Sequence, residues 1–484
     1  MQRKERVDGQ HFRRIDRKPG AARRRAVLAA TIGNALEWYD FLIYGFLAMT
    51  IATLFFPTEN ELTSLLLSVG TFGAAAAVRP VASVILGIYA DRVGRKAALT
   101  LTIFTMGLGT GLIVLAPSYA SIGIWATVLM VSARLLQGFA CGGELGGATA
   151  ILVENAPDHG RGLYASWQTS SQAAGVLLGA MVTTLASLSM TQAQLEAWGW
   201  RLPFAFGLLI VPVGFYIRSK LKEPDAYLKT RAEAPVLSFI RMLLGERRSL
   251  LTAIGIAVLY LACAYVLFVY MPTFAVRQLK LPFSQALIAT TLASAVLLVC
   301  SPVMVAISDR YGRKPLLVVG ASAFALLTYP AFVLITAQPN LPKLAAVQSG
   351  FALAMATYAG PAISVYAELF PTRLRSTAVS LVYGIAVVLV GGFAPLIVTW
   401  LIAVTDSPIA PAFYVIGAAA VSGVTLLACT IAFASPCAER LTETTVELLT
   451  TFARLQSSRC FVDSAFARAG IRKIPAKRLL LAQG

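Results

Sequence analysis

Long, nearly uninterrupted apolar runs recur along the whole of this 484-residue chain, at 26 to 56, 62 to 89, 97 to 116, 121 to 154, 163 to 190, 201 to 218, 250 to 276, 284 to 307, 315 to 336, 342 to 370, 376 to 403 and 410 to 434. A helix needs about 20 residues to cross the roughly 30 Å hydrocarbon core of a bilayer. Membrane strands would instead show about ten residues of in/out alternation, which these continuous runs lack. With 57% hydrophobic and 13% charged residues, the chain departs far from the roughly 45–50% and about 25% of soluble domains. A soluble fold could not hide that surplus, so the expected fold is an all-α integral membrane protein with twelve transmembrane helices. The first run is too long for a signal peptide and no small-residue cleavage site follows it, so it is expected to persist in the mature protein.

The net charge of +18 would suggest nucleic-acid binding in a soluble chain, but its placement points elsewhere. Residues 1–25 carry ten Lys/Arg, ending in Arg23, Arg24 and Arg25. Further basic residues sit in alternate connections: Arg92, Arg95 and Lys96, then Arg161, then the stretch 219–249, then Arg310, Arg313 and Lys314. The first and third connections are poor in base; the seventh, with Arg277 and Lys280, departs from the pattern. The positive-inside rule therefore puts both termini in the cytoplasm, with 1–25 a basic N-terminal tail, 219–249 a cytoplasmic linker and 435–484 a C-terminal tail.

Two motifs occur twice and in the same order. Asp91-Arg92-Val93-Gly94-Arg95-Lys96 is echoed by Asp309-Arg310-Tyr311-Gly312-Arg313-Lys314, 218 residues later. Glu154, Pro157 and Arg161 are echoed by Glu368, Pro371 and Arg375 at an offset of 214. Such duplication implies two six-helix halves, 26–218 and 250–434, with a substrate site between them near the midplane. The Asp-Arg-x-Gly-Arg turns can be read as tight corners with a topological charge bias. Paired with the Glu-x-x-Pro-x-x-x-Arg elements, they can also form a charge latch at the cytoplasmic face, with Asp91 capping a helix or pairing with arginine and Arg95 reaching Glu154. Asp91, Arg92, Gly94, Arg95, Glu154, Arg161, Asp309, Arg310, Gly312, Arg313, Glu368 and Arg375 are the expected gating residues.

The paired Asp-Arg-x-Gly-Arg-Lys loops resemble the signature of the major facilitator superfamily, and the likeness covers roughly residues 26–434. Within it, Gly33-Asn34-Ala35-Leu36-Glu37-Trp38-Tyr39-Asp40-Phe41, Arg79-Pro80, Arg134-Leu135-Leu136-Gln137-Gly138, Trp198-Gly199-Trp200-Arg201-Leu202-Pro203-Phe204 and Ala367-Glu368-Leu369-Phe370-Pro371-Thr372-Arg373 resemble the metabolite:proton symporter family. That family carries organic acids such as citrate and 2-oxoglutarate, and zwitterions such as proline and betaine. Tyr164-Ala165-Ser166-Trp167-Gln168, with Ser171 and Gln172, is most similar to the citrate and tricarboxylate branch. The resemblance implies a plasma (inner) membrane protein whose halves rock about a central site.

Charged side chains within spans cost about 2.5–3.5 kcal/mol each on insertion scales, so they usually face a partner or a water-filled cavity. Glu37 and Asp40 lie 12 and 15 residues beyond Arg25, which puts them roughly 18 to 22 Å into the membrane. Arg79 precedes Asp91 by 12 residues and sits about 18 Å from that end of its span. Arg134, Gln137, Cys141 and Glu144 share one face of the fourth span. Glu37, Asp40 and Glu144 are the candidate proton carriers, although a carboxylate here could simply pair with an arginine. The only histidines, His11 and His159, both fall on the expected cytoplasmic side, so proton chemistry must use carboxylates. Arg79, Arg134, Gln137, Trp167, Gln168 and Gln172 are the candidate substrate ligands. An arginine can hold a carboxylate through a two-point fork, but by resemblance both arginines recur in carriers of zwitterions, so they do not alone identify an anion. Gly391-Gly392-Phe393-Ala394-Pro395 interrupts the eleventh span as a packing kink or a flexing point.

No nucleophile–base pair, metal cluster or phosphate-cradling loop stands out, and the six cysteines show neither disulfide nor zinc spacing. Neither an enzyme nor a cofactor is expected; the proton gradient is the driving force. The expected partners are the lipid bilayer, protons and a small organic acid, with no obligate protein partner. The leading expectation is proton symport of citrate or another di- or tricarboxylate. Proton-coupled uptake of a zwitterionic osmolyte is the alternative, and a ligand-binding sensor is a third reading, disfavoured by the intact gating loops.

Overall fold

The computed structural model describes residues 20–93, 95–142, 152, 161–219, 245–370 and 375–428. Among these residues all regular structure is helical. The first half contains α1 (Gly20–Phe46), α2 (Ala48–Phe55), α3 (Glu61–Val93), α4 (Arg95–Leu115), α5 (Ile124–Cys141), α6 (Arg161–Ser189) and α7 (Arg201–Ser219). The second contains α8 (Arg247–Cys263), α9 (Met271–Arg277), α10 (Phe283–Tyr311), α11 (Arg313–Ala337), α12 (Leu341–Leu369), α13 (Arg375–Ala386), α14 (Ala394–Thr405) and α15 (Ala410–Ala428). Every predicted span thus contains helix, and eight of the described helices are long and apolar enough to cross a membrane. The fold is the twelve-helix arrangement expected from the sequence.

Three spans are not straight rods. The first bends by 62° between α1 and α2, where a single helix over 26 to 56 was expected. The seventh passes through a π-helical segment, Ala264–Tyr270, between α8 and α9. Gln348 donates to the carbonyl of Leu267 at 3.4 Å, giving this widened segment a partner outside its own ladder. The eleventh carries a second π-helical segment, Val387–Gly391, which starts four residues before the predicted interruption. Pro395 has no N–H to offer the preceding turn, and the Gly392 N–H bonds to Val387 in the wider register at 2.7 Å.

The two halves meet along definite seams. Helix α6 packs on α1 within its half and on α10 across the interface, while α3 packs on α13, α14 and the π segment between them. Small residues set the approach of this second pair: a side chain at Gly392 would strike Ala76, and one at Gly73 would strike Phe393. The seventh span is the most enclosed, with 83% of its apolar window buried against 33% for α11, whose outer face is left for lipid. It therefore forms part of the central wall between the halves.

Candidate functional site

Helix α1 delivers a different side chain to each of its neighbours. Tyr39 donates its hydroxyl to the Pro203 carbonyl of α7 at 2.7 Å. Asp40, 3% exposed, lies against Gly207 of the same helix, with its Oδ1 in the space a side chain at that glycine would fill. Asp40 therefore points into the interior of the first half, within electrostatic range of Arg134. Glu37, one turn earlier, is half-buried and lies within electrostatic range of Arg79, of Tyr265 of the π segment and of Tyr383 of α13. The two carboxylates, three residues apart on α1, thus have different charged neighbours.

Both predicted arginines are buried. The Arg79 guanidinium sits 4.1 Å from the centre of the Phe41 ring. The Arg134 guanidinium is 4.3 Å from Tyr44, 4.7 Å from Phe41 and 5.2 Å from Phe72. A desolvated cation over an aromatic face gains about 2 kcal/mol or more, which offsets much of the cost of burying these charges. Hydrogen bonding is sparse by contrast. Arg134 Nη1 donates to Gln137 at 2.6 Å, while among the described residues Arg134 Nε and Nη2 and Arg79 Nε have no hydrogen-bond partner. Gln137 in turn donates to Thr110 at 2.9 Å, so it is committed to orienting Arg134.

The other predicted ligands divide. Gln172 lines a cavity between the halves with Trp38, Thr169, Tyr260, Phe268 and Met355, and its Oε1 accepts a hydrogen bond from Tyr260 of the second half. Gln168 instead donates to Asn34 Oδ1 at 2.9 Å, and Asn34 donates to Ser171 at 2.6 Å, so this group ties α6 to α1. Trp167 is 45% exposed and is not among the cavity-lining residues. Glu144 lies outside the described residues.

The second half contributes hydroxyls and no charge: the buried charged side chains among the described residues, Asp40, Arg79 and Arg134, all belong to the first half. Tyr265 and Tyr383 have hydroxyls without a hydrogen-bond partner among the described residues, and the Tyr383 and Tyr260 rings lie 6.3 Å apart. Sequence reasoning missed these tyrosines, because an aromatic residue in an apolar span reads as packing. The cavity is narrow, with room for about one water. Ligand pockets span roughly 300–1,000 Å³, so this cavity as it stands is too small for a metabolite.

At the gating motifs, Gly312 adopts φ 94°, the positive-φ corner expected of it. Arg313 pairs with Asp309 and reaches Glu368 of α12 at 3.4 Å. This joins the two repeated motifs within the second half, while Arg310 is exposed. Gly94 and Glu154 lie outside the described residues. Asp91 and Arg92 fall near the end of α3, and Arg95, Arg161 and Arg375 open α4, α6 and α13; their side chains are likewise not described.

A family model described as "Sugar (and other) transporter" matches residues 26–235 and again 218–447, one match for each half. The chain belongs to the major facilitator superfamily. The transporter is 35% identical over 395 residues to the citrate-proton symporter of Klebsiella pneumoniae, covering 82% of this chain and 89% of that protein. It is 33% identical over 416 residues to the proline/betaine transporter of Escherichia coli strain K12, covering 83% and 82%. Its fold superposes on the partially occluded inward-open xylose transporter XylE from E. coli with a TM-score of 0.69, at 18% identity, covering 84% of the transporter and 97% of the other chain.

Proposed function

We propose that this transporter is a proton symporter that carries a small organic acid, citrate or another di- or tricarboxylate, by alternating access across the plasma membrane, with both termini in the cytoplasm. The observation that carries the reading is a pair of buried guanidiniums stabilised by aromatic faces, with N–H donors on Arg79 and Arg134 that have no hydrogen-bond partner among the described residues. A carboxylate reaching that seam would meet these donors and the Tyr265 and Tyr383 hydroxyls, with charge-assisted bonds roughly twice as strong as neutral ones. The identity to a citrate-proton symporter supports the same cargo class.

In this reading Asp40 carries the proton and Arg79 holds the cargo. Protonating Asp40 removes a negative charge beside Arg134 and leaves the buried cations free to balance an incoming anion. Glu37, within electrostatic range of Arg79, competes with cargo for that arginine, so cargo binding and the protonation of the α1 carboxylates favour one another. The second half, without buried charge among the described residues, moves against the first, and the Arg313–Glu368 contact holds its membrane-edge corner together in one state.

Two observations favour the osmolyte reading: the 33% identity to a proline/betaine transporter, and aromatic faces around the core that would suit a quaternary ammonium. The faces of Phe41 and Tyr44 are occupied by Arg79 and Arg134 themselves, while Trp38, Tyr260 and Phe268 line the cavity. Competition binding to purified protein separates the two: citrate, 2-oxoglutarate or another dicarboxylate should displace a labelled organic acid, and betaine and proline should not. Displacement by betaine or proline alone would promote the osmolyte reading.

A further inference from the structure

Each of the two buried arginines lies within electrostatic range of an α1 carboxylate, Arg134 of Asp40 and Arg79 of Glu37. One side chain meets both guanidiniums. The Phe41 ring lies 4.1 Å from the Arg79 guanidinium and 4.7 Å from that of Arg134, and Phe41 itself is 1% exposed. The ring is held in turn by Phe72, 4.7 Å between centres, and by Tyr265 of the second half, 6.5 Å away.

The chemistry of this contact differs from that of an ion pair. An aromatic face attracts a cation without taking any of its N–H donors, so both guanidiniums keep their charge and part of their donor sets for other partners. Two like charges on one ring also repel each other, and the arrangement is stable only while nearby negative charge or a bound anion compensates. A change of charge at either pair therefore alters the pull on the shared ring and is felt at the other.

We propose that Phe41 is a positioning residue that couples the proton site to the cargo site, by holding Arg79 and Arg134 on one aromatic ring. The inference rests on the proton-symport reading given above. It adds a role for the last residue of the Glu37-Trp38-Tyr39-Asp40-Phe41 segment that simple packing does not supply.

The test replaces Phe41 by phenylalanine carrying one, two and three ring fluorines through nonsense suppression, which withdraws charge from the ring face while nearly preserving its shape. Phe41→Leu serves as the variant that removes the ring altogether. In proteoliposomes, pH-gradient-driven accumulation of labelled citrate is read beside gradient-free exchange. Accumulation is expected to fall stepwise with fluorine number, by about tenfold at three fluorines, while exchange continues at reduced affinity. Accumulation that is flat across the fluorine series, or lost only in Phe41→Leu, would make Phe41 a packing residue and overturn the proposal. If the unsubstituted protein accumulates betaine and not citrate, the cargo reading fails by itself; the same series read with betaine then still decides the role of Phe41.

Discussion

Arg134 shows how this transporter stabilises a charge that the membrane disfavours. It is fully buried and, among the described residues, makes one hydrogen bond, to Gln137, yet three aromatic rings surround it. Arg79 follows the same logic on the Phe41 ring. If Arg79 holds a cargo carboxylate, Arg79→Gln should weaken citrate binding on the order of 10- to 100-fold, the range expected for losing a charged hydrogen bond. Arg79→Lys should recover little of it, since an ammonium keeps the charge without the planar fork. Equilibrium binding to purified protein reads both. The different neighbours of the two α1 carboxylates give a second prediction. Asp40→Asn should abolish gradient-driven accumulation while exchange persists, because a neutral side chain mimics the protonated state. Glu37→Gln should instead alter cargo affinity. Comparing accumulation with exchange for each variant checks the assignment, and the reverse pattern would exchange the two roles. The sequence identified all four of these residues, because a charge inside an apolar run is conspicuous. It could not show that Glu37 and Asp40 have different charged neighbours, since three residues along a helix leave them on one broad stripe.

At the scale of elements, close approach between helices is set by residues without side-chain bulk. Gly392 of the eleventh span meets Ala76 of α3 with no room for a side chain, whereas Gly417 of α15 faces open space. Gly392→Val should therefore lower the stability of the detergent-solubilised protein by roughly 1–3 kcal/mol, the usual cost of overpacking, while Gly417→Ala should leave it nearly unchanged. Thermal unfolding followed by tryptophan fluorescence distinguishes them. The latch at the α10–α11 corner is exposed, with Glu368 52% accessible, so its contribution to stability is at most about 1 kcal/mol. Its effect belongs to the equilibrium between states: Glu368→Gln should change turnover while leaving cargo affinity in place. Wild-type turnover would reduce the contact to a corner of the chain. The break in the eleventh span was legible because Gly391, Gly392 and Pro395 mark it. The π segment Ala264–Tyr270 was not, because that sequence is apolar on every side and contains no Gly or Pro. For the same reason the inward-facing Tyr260 and Tyr265 could not be told from packing tyrosines.

The whole molecule divides its labour unevenly between two halves of one design. Among the described residues the buried charges lie in the first half, while the second presents tyrosine hydroxyls to it, Tyr260 of α8 bonding to Gln172 of α6. The duplication and the number of spans were readable from spacing alone, as length and hydropathy translate directly into membrane crossings. Orientation is a further prediction of the basic connections. A reporter active only outside the cytoplasm should be active when fused after Glu59 and silent when fused after residue 434; the opposite pattern would contradict the topology. The claim that joins the scales is that a proton gradient drives an organic acid through the seam. Its most direct test is uptake of labelled citrate, 2-oxoglutarate and betaine into proteoliposomes with an imposed pH gradient. A di- or tricarboxylate is expected to accumulate above its external concentration and to leak back when a protonophore collapses the gradient. Accumulation of betaine with neither acid, or acid uptake indifferent to the protonophore, would contradict it.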